Sequence, residues 1–290
     1  MWLLFFLIGR KRQNPKRELS ESQISWRLRF ADLIEDADRW WESSSVERWV
    51  SEANDGTRLV ADYIPHEDSH RYAICVHGYE GERSEMRKYG AAFASWGLNV
   101  LLPDNRAHGE SGGRWIGMGV LESKDLKKWV GEIVKRDPSA AIFLFGVSLG
   151  GSTVMMASGL DLPDNVRFFV EDCGYTSPWE EFSYKLKSYH VPPYPLLHLT
   201  SWFSKVFAGY SFREYSAPEA LSRNSRPFIF IHGKTDTFVP YRMLKENVDA
   251  MTKGRKTVLE IEGAGHALSV TKGRKEYFAA IKAYVDEFLV

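Results

Sequence analysis

The stretch Ala140-Ala141-Ile142-Phe143-Leu144-Phe145-Gly146-Val147-Ser148-Leu149-Gly150-Gly151 limits what this chain can fold into more than any other. It begins as an unbroken apolar run, which suits a strand buried on both faces of a parallel sheet. It then turns through Gly-x-Ser-x-Gly into residues 152–158, small and apolar enough for a buried helix. A strand and a helix joined by so tight a turn crowd each other. The positions two before and two after the serine must therefore lack side chains, as Gly146 and Gly150 do. This is the pattern of a nucleophile elbow. Ser148 Oγ would stand at the carboxyl end of the strand, beside the unpaired N–H groups that open the next helix. A lone Gly-x-Ser-x-Gly arises by chance in about one chain in ten of this length, so the remaining residues have to decide.

They alternate. Apolar runs at 46–53 and 57–64 flank Asn54-Asp55-Gly56, a hairpin signal. Further strand-like runs lie at 72–76, 98–103, 166–170, 226–231 and 257–261. Between them come helical patterns at 83–96, after Ser123 as an N-cap, from Pro240, and at 274–289. Alternating short strands and helices predict an α/β fold with a mostly parallel sheet covered on both faces, and 290 residues suit one such domain. The expected organisation is an apolar and basic tail over 1–19, an amphipathic helix over 20–45 with Ile24, Leu28, Ala31, Ile34 and Trp41 near one face, and the domain over 46–290. The segment at about 179–220 breaks the alternation and is expected to form a helical cap.

Lys plus Arg equals Asp plus Glu, 38 each, so nothing points to a nucleic-acid partner. Cys75 and Cys173 sit in or beside apolar runs and read as buried thiols, and no Cys/His spacing suits zinc. No metal and no cofactor is expected. The apolar run 2–8 is too short to span a bilayer, and Arg10, Lys11, Arg12, Lys16 and Arg17 follow it. A membrane-surface anchor, the end of a longer anchor and a disordered tail stay open, and with them a cytoplasmic or membrane-associated location. Oligomeric state is not legible.

Three polar residues then follow strands in the order Ser148, Asp236, His266. A serine hydroxyl is a poor nucleophile at neutral pH and needs a base to take its proton. Imidazole, with an ordinary pKa of about 6.5, suits that task. A carboxylate at Asp236 would hold the His266 tautomer that presents Nε2 to Ser148. Glu171 and Asp172, also at a strand end, are the rival acids. His77-Gly78-Tyr79 follows an early strand and supplies the second half of an oxyanion hole, whose donors would be the backbone N–H groups of Tyr79 and Leu149. His77 and His108 read as structural.

Taken together, His77-Gly78, Asp104-x-Arg106-x-His108-Gly109-x-Ser111, Gly146-x-Ser148-x-Gly150, His232-Gly233-x-x-Asp236-x-x-Val239-Pro240 and Gly265-His266 resemble the α/β-hydrolase superfamily from about residue 47 onward. The Asp104 loop is similar to the serine aminopeptidase and monoacylglycerol lipase branch, with Ala107 where that pattern has glycine. Glu171-Asp172-Cys173-Gly174-Tyr175 resembles uncharacterised bacterial hydrolases that often carry an N-terminal membrane anchor. The resemblance implies an α/β-hydrolase fold and a Ser-His-Asp triad. The expected activity is hydrolysis of small-molecule carboxylic esters through an acyl-enzyme. A peptidase, amidase or thioesterase with the same triad is the first alternative, and a catalytically silent binding protein the second. Residues 179–215 carry 11 aromatics in 37 positions, about 30% against 14% for the chain. That density predicts apolar acyl groups, with Trp202 and Phe203 in the substrate pocket.

Overall fold

In the computed structural model, which describes residues 7–9 and 28–290, eight strands form one sheet in the order β1-β2-β4-β3-β5-β6-β7-β8. The strands are β1 Glu47–Glu52, β2 Arg58–Ile64, β3 Arg71–Val76, β4 Asn99–Asp104, β5 Ala141–Val147, β6 Val166–Asp172, β7 Phe228–Gly233 and β8 Lys256–Ile261. β1 and β2 form the antiparallel hairpin, with Gly56 at φ +80° in its turn. β2 pairs antiparallel with β4, and every later pairing is parallel.

Successive side chains of a strand point to opposite faces, and both faces here are apolar. Ile142 and Leu144 of β5 join one core, together with Leu126, Trp129 and Val154. Phe143 and Phe145 join the other, with Phe93, Tyr277 and Ile281. Helices α3 Glu122–Arg136 and α4 Leu149–Ser158 therefore cover the first face. Helices α1 Ala31–Ser43, α2 Arg87–Ser95 and the closing α9 Arg274–Phe288 cover the second. Between β6 and β7 the chain makes three helices, α5 Pro178–Ser188, α6 Leu196–Ala208 and α7 Ala217–Arg223. α8 Arg242–Ala250 joins β7 to β8.

Local expectations fail in four places. In α1, Leu33 and Ala37 are buried while Leu28 is 69% exposed. Phe30, Leu33 and Ala37 share a face at helical spacing, and α1 turns that face to α2, where a Cβ at Gly90 would lie 3.2 Å from Trp40. Ile24 and the rest of 10–27 lie outside the described residues, as do residues 1–6. The 83–96 pattern opens as a 3-10 turn, Arg83–Met86, because Arg83 is held by Asp62 and Asp104 on the sheet side. Ser123 does not cap α3. It lies inside the helix and its Oγ donates to Val120 O, while the Glu122 carboxylate accepts from Gly117 and Gly119 N–H. Pro240 precedes α8 by two residues, since the Asp236 carboxylate first gathers a turn around itself. Among the described residues no helix is long and apolar enough to cross a membrane.

Candidate active site

The elbow strains the backbone at one residue. Ser148 has φ 58° and ψ −116°, a conformation that L side chains seldom adopt, and its N–H donates to Asp172 O across the β5–β6 gap. A Cβ at Gly146 would lie 2.1 Å from Gly150 O, and one at Gly150 would lie 2.0 Å from Val76 O. No side chain fits at either place. Leu149 is the first residue of α4, so its N–H has no partner one turn back.

His266 reaches Ser148 from the loop after β8. Its Nε2 lies 2.8 Å from Ser148 Oγ, and its Nδ1 lies 2.8 Å from Asp236 Oδ2. With the proton on Nδ1 donated to Asp236, Nε2 is left as an acceptor for the serine hydroxyl. Asp236 is 4% exposed, and its other oxygen accepts from Phe238 N–H (2.8 Å) and Val239 N–H (3.0 Å). Those two donors stabilise the carboxylate and leave Oδ2 aimed at the imidazole. His232, beneath it, donates Nε2–H to Val239 O and closes the same turn.

The rival acids point elsewhere. Asp172 accepts from Ser269 Oγ and Tyr277 OH, both at 3.0 Å, and burial pushes its carboxyl up to about 6. Glu171 accepts from Gly174 N–H, and burial raises its carboxyl far above the usual range. Cys173 Sγ stands with the Asp236 carboxylate and the His266 ring, these ligand atoms within 4.8 Å of one another. The sequence spacing of the three gave no sign of this grouping. Burial holds the thiol well above its ordinary pKa, which disfavours the thiolate a metal needs.

The second wall of the site is the loop after β3. A Cβ at Gly78 would lie 3.5 Å from Ser148 Cβ, so this loop passes directly over the serine. Gly78 O is held by the His77 ring, with Nδ1 at 2.7 Å, and by Gly81 N–H at 3.2 Å. The carbonyl and the N–H of one peptide unit point in opposite directions. Fixing Gly78 O therefore fixes the Tyr79 N–H. His77 Nε2 in turn accepts from Asn105 N–H, and burial drives the His77 pKa down to about 4, so the ring stays neutral. His108 does the same one residue on, accepting from Glu80 N–H and holding Arg106 O through Nδ1. The rest of the Asp104 loop is scaffold. Ser111 links Asp104 O to Val60 N–H, and Arg106 forks onto Asp125. Ala107 sits at φ 60°, the left-handed backbone that glycine adopts freely.

The Tyr79 side chain leads to the N-terminus. Its hydroxyl donates to Leu7 O (2.9 Å), Ile8 O accepts from Ile116 N–H, and Gly9 bridges Trp115. Ile8 is fully buried. The end of the 2–8 apolar run is thus docked on the domain.

From the β6–β7 insertion, Tyr184 OH donates to Thr237 O and Lys185 Nζ stands 3.1 Å above the Phe238 ring. Phe238 lies 4.7 Å from the His266 ring. Glu181, in the same helix, is 4% exposed and neither carboxylate oxygen has a hydrogen-bond partner. Its nearest cation is Lys185, at 3.7 Å, and burial pushes the carboxyl up to about 7. Composition alone did not separate Glu181, buried in the structure, from its half-buried neighbour Glu180. Trp202 is 60% exposed and packs edge-on against Phe203 at 5.1 Å, with Phe203 also stacked on Phe207. The described ring contacts of Trp202 and Phe203 are with each other and with Phe207 on α6.

Residues 68–226 match the serine aminopeptidase (S33) family, a stretch that includes Tyr79, Ser148 and Leu149 and ends before Asp236. The chain is 32% identical to Bacillus subtilis (strain 168) protein YqkD over 77% of its own length and 73% of the relative's. It is 29% identical to the monoacylglycerol lipase of Mycolicibacterium smegmatis over 40% of its length and 42% of that protein's. Among solved structures, the Pyrococcus furiosus esterase Pf2001 superposes with a TM-score of 0.69 at 22% identity, covering 97% of this chain and all of the other. A doubly covered, mostly parallel sheet with an elbow at β5 and this family match place the chain in the serine aminopeptidase (S33) family of α/β-hydrolases.

Proposed function

We propose that the protein cleaves carboxylic esters of apolar acyl or aryl groups through a covalent acyl-enzyme on Ser148. One observation carries the reading: the unbroken chain Asp236–His266–Ser148, 2.8 Å at each link, ending on the strained elbow residue. Ser148 Oγ attacks the ester carbonyl carbon while its proton passes to His266 Nε2. The carbonyl oxygen becomes an oxyanion facing the N–H groups of Tyr79 and Leu149, each worth about 3 kcal/mol of transition-state stabilisation. Collapse breaks the bond to the alkoxide, which leaves with the proton from Nε2. Water then repeats the sequence: His266 takes its proton, the hydroxide attacks the acyl carbon, and Ser148 leaves with that proton. Asp236 keeps the Nδ1 proton throughout.

The relatives named as esterase and lipase support an ester substrate. One observation favours a second reading, aminopeptidase activity: a buried carboxyl at Glu181 whose oxygens lack hydrogen-bond partners suits a substrate ammonium group. Lys185 competes for that place. Aryl esters of graded acyl length set against amino-acid anilides separate the two. Ester turnover should exceed anilide turnover by at least a hundredfold, and faster anilide cleavage would make the chain a peptidase. In the same panel, Ser148→Ala should abolish turnover and fluorophosphonate labelling.

A further inference from the structure

Helix α6 is built inside out. Its buried positions are Leu197, Thr200, Ser201 and Ser204. Its exposed ones include Leu199 (55%), Trp202 (60%) and Val206 (56%), which fall on one stripe at i, i+3 and i+7. The orientation is fixed, since Ser201 Oγ accepts from Phe212 N–H and Leu197 is fully buried. A helix surrounded by water carries its large apolar side chains inward. This one presents them outward and seats its hydroxyls on the domain. The loop before it adds Tyr189 (76%) and Tyr194 (73%), and of the fourteen strongly exposed large hydrophobic residues among those described, eight fall between positions 189 and 207.

Charge is equally one-sided. From Phe182 to Arg213 the chain has no Asp or Glu, and it carries Lys185, Lys187, Lys205 and Arg213. Glu214 pairs with Lys205, Glu181 faces Lys185 and Arg213 lies over the Trp179 ring, while Lys187 is exposed. Large apolar groups flanked by Tyr, Trp and a segment in which cations outnumber carboxylates match the headgroup region of an anionic bilayer, into which interfacial helices sink about 5–10 Å.

We infer that α6 and the loop before it dock on an anionic phospholipid surface. The docking face belongs to the same insertion as α5, whose Tyr184 and Lys185 touch the loop over His266. Docking thus sets the site beside the lipid, although the inference itself does not depend on which bond the site cleaves.

The test is co-sedimentation of the full chain with vesicles of phosphatidylglycerol and phosphatidylcholine in equal parts, against phosphatidylcholine alone. Wild type should pellet with the anionic vesicles and bind the neutral ones about tenfold less. Leu199→Glu and Val206→Glu should each cut anionic binding by about tenfold while leaving aryl acetate turnover and circular dichroism unchanged. Val258→Glu, at an exposed apolar position on β8, serves as the control and should bind as wild type does. Wild type remaining in the supernatant with both vesicles would overturn the inference. So would variants that bind undiminished, or a wild-type dimer that Leu199→Glu converts to monomer, which would assign the face to a second copy of the chain.

Discussion

Each residue of the proposed triad is held by groups that do no chemistry, and those groups set what a substitution does. Asp236 accepts two backbone N–H groups on one oxygen and His266 on the other. Asp236→Asn keeps the shape, but its amide can donate to Nδ1 and favours the tautomer with the proton on Nε2. We expect kcat to fall by about ten-thousandfold, measured with an aryl acetate. Asp172→Asn should leave kcat within about threefold, because Asp172 faces Ser269 and Tyr277. A larger loss for Asp172→Asn would exchange the two roles. Tyr79→Phe removes a hydroxyl that touches only the Leu7 carbonyl among the described hydrogen bonds, and leaves the backbone N–H in place. Activity should stay within about threefold of wild type; a thousandfold loss would make the phenol itself catalytic.

At the scale of elements, the elbow and the strands were legible because their patterns are local. An apolar run, two glycines and a serine fix β5, the turn and the start of α4 within twelve residues, and a Cβ at Gly146 would lie 2.1 Å from Gly150 O, where van der Waals contact needs far more. The order Ser148, Asp236, His266 was legible because each follows a strand. What could not be read is what tertiary contact decides. The face of α1 depends on where α2 lies, and the start of α3 depends on Glu122 being drawn to Gly117 and Gly119. Counting aromatics in the 179–215 segment could not tell side chains that line a pocket from those that face outward on α6, nor single out Glu181 as buried. His77 shows the same limit. Its place after β3 marked it as structural, but only the bonds to Gly78 O and from Asn105 N–H tie it to the orientation of the Tyr79 N–H. His77→Ala should therefore lower kcat by about tenfold to a hundredfold with KM little changed, as loss of a transition-state contact does. An equal rise in KM with kcat preserved would remove His77 from the positioning of that donor.

For the molecule as a whole, buried ionisable groups set how stability follows pH. Burial raises Glu122 and Glu181 from 4.5 to about 7 and Asp172 from 3.8 to about 6, and raises Glu171 further. Between the unfolded and folded values the native chain holds protons that the unfolded chain has released. Their stabilising contribution is fully present below the unfolded values and is lost as pH rises through 6 to 7. Burial lowers His77 from 6.5 to about 4 and lowers His232 as well, with the opposite sign: stability present above 6.5 is lost as pH falls toward 4. Four raised acids outweigh two lowered histidines across pH 5 to 7. The midpoint of urea unfolding should therefore be higher at pH 5.5 than at pH 7.5, the reverse of the usual neutral optimum. Glu122 alone accounts for about 2 kcal/mol of that difference, so Glu122→Gln should make the profile shallower. A wild-type midpoint that climbs from pH 5.5 to 7.5, with the variant parallel to it, would show that these carboxyls are ionised in the native chain. Catalysis must run the other way, because only neutral His266 can accept the Ser148 proton. Ester turnover should fall on acidification while the fold holds, so activity lost at pH 5.5 and restored on return to pH 7.5 would report the site rather than unfolding.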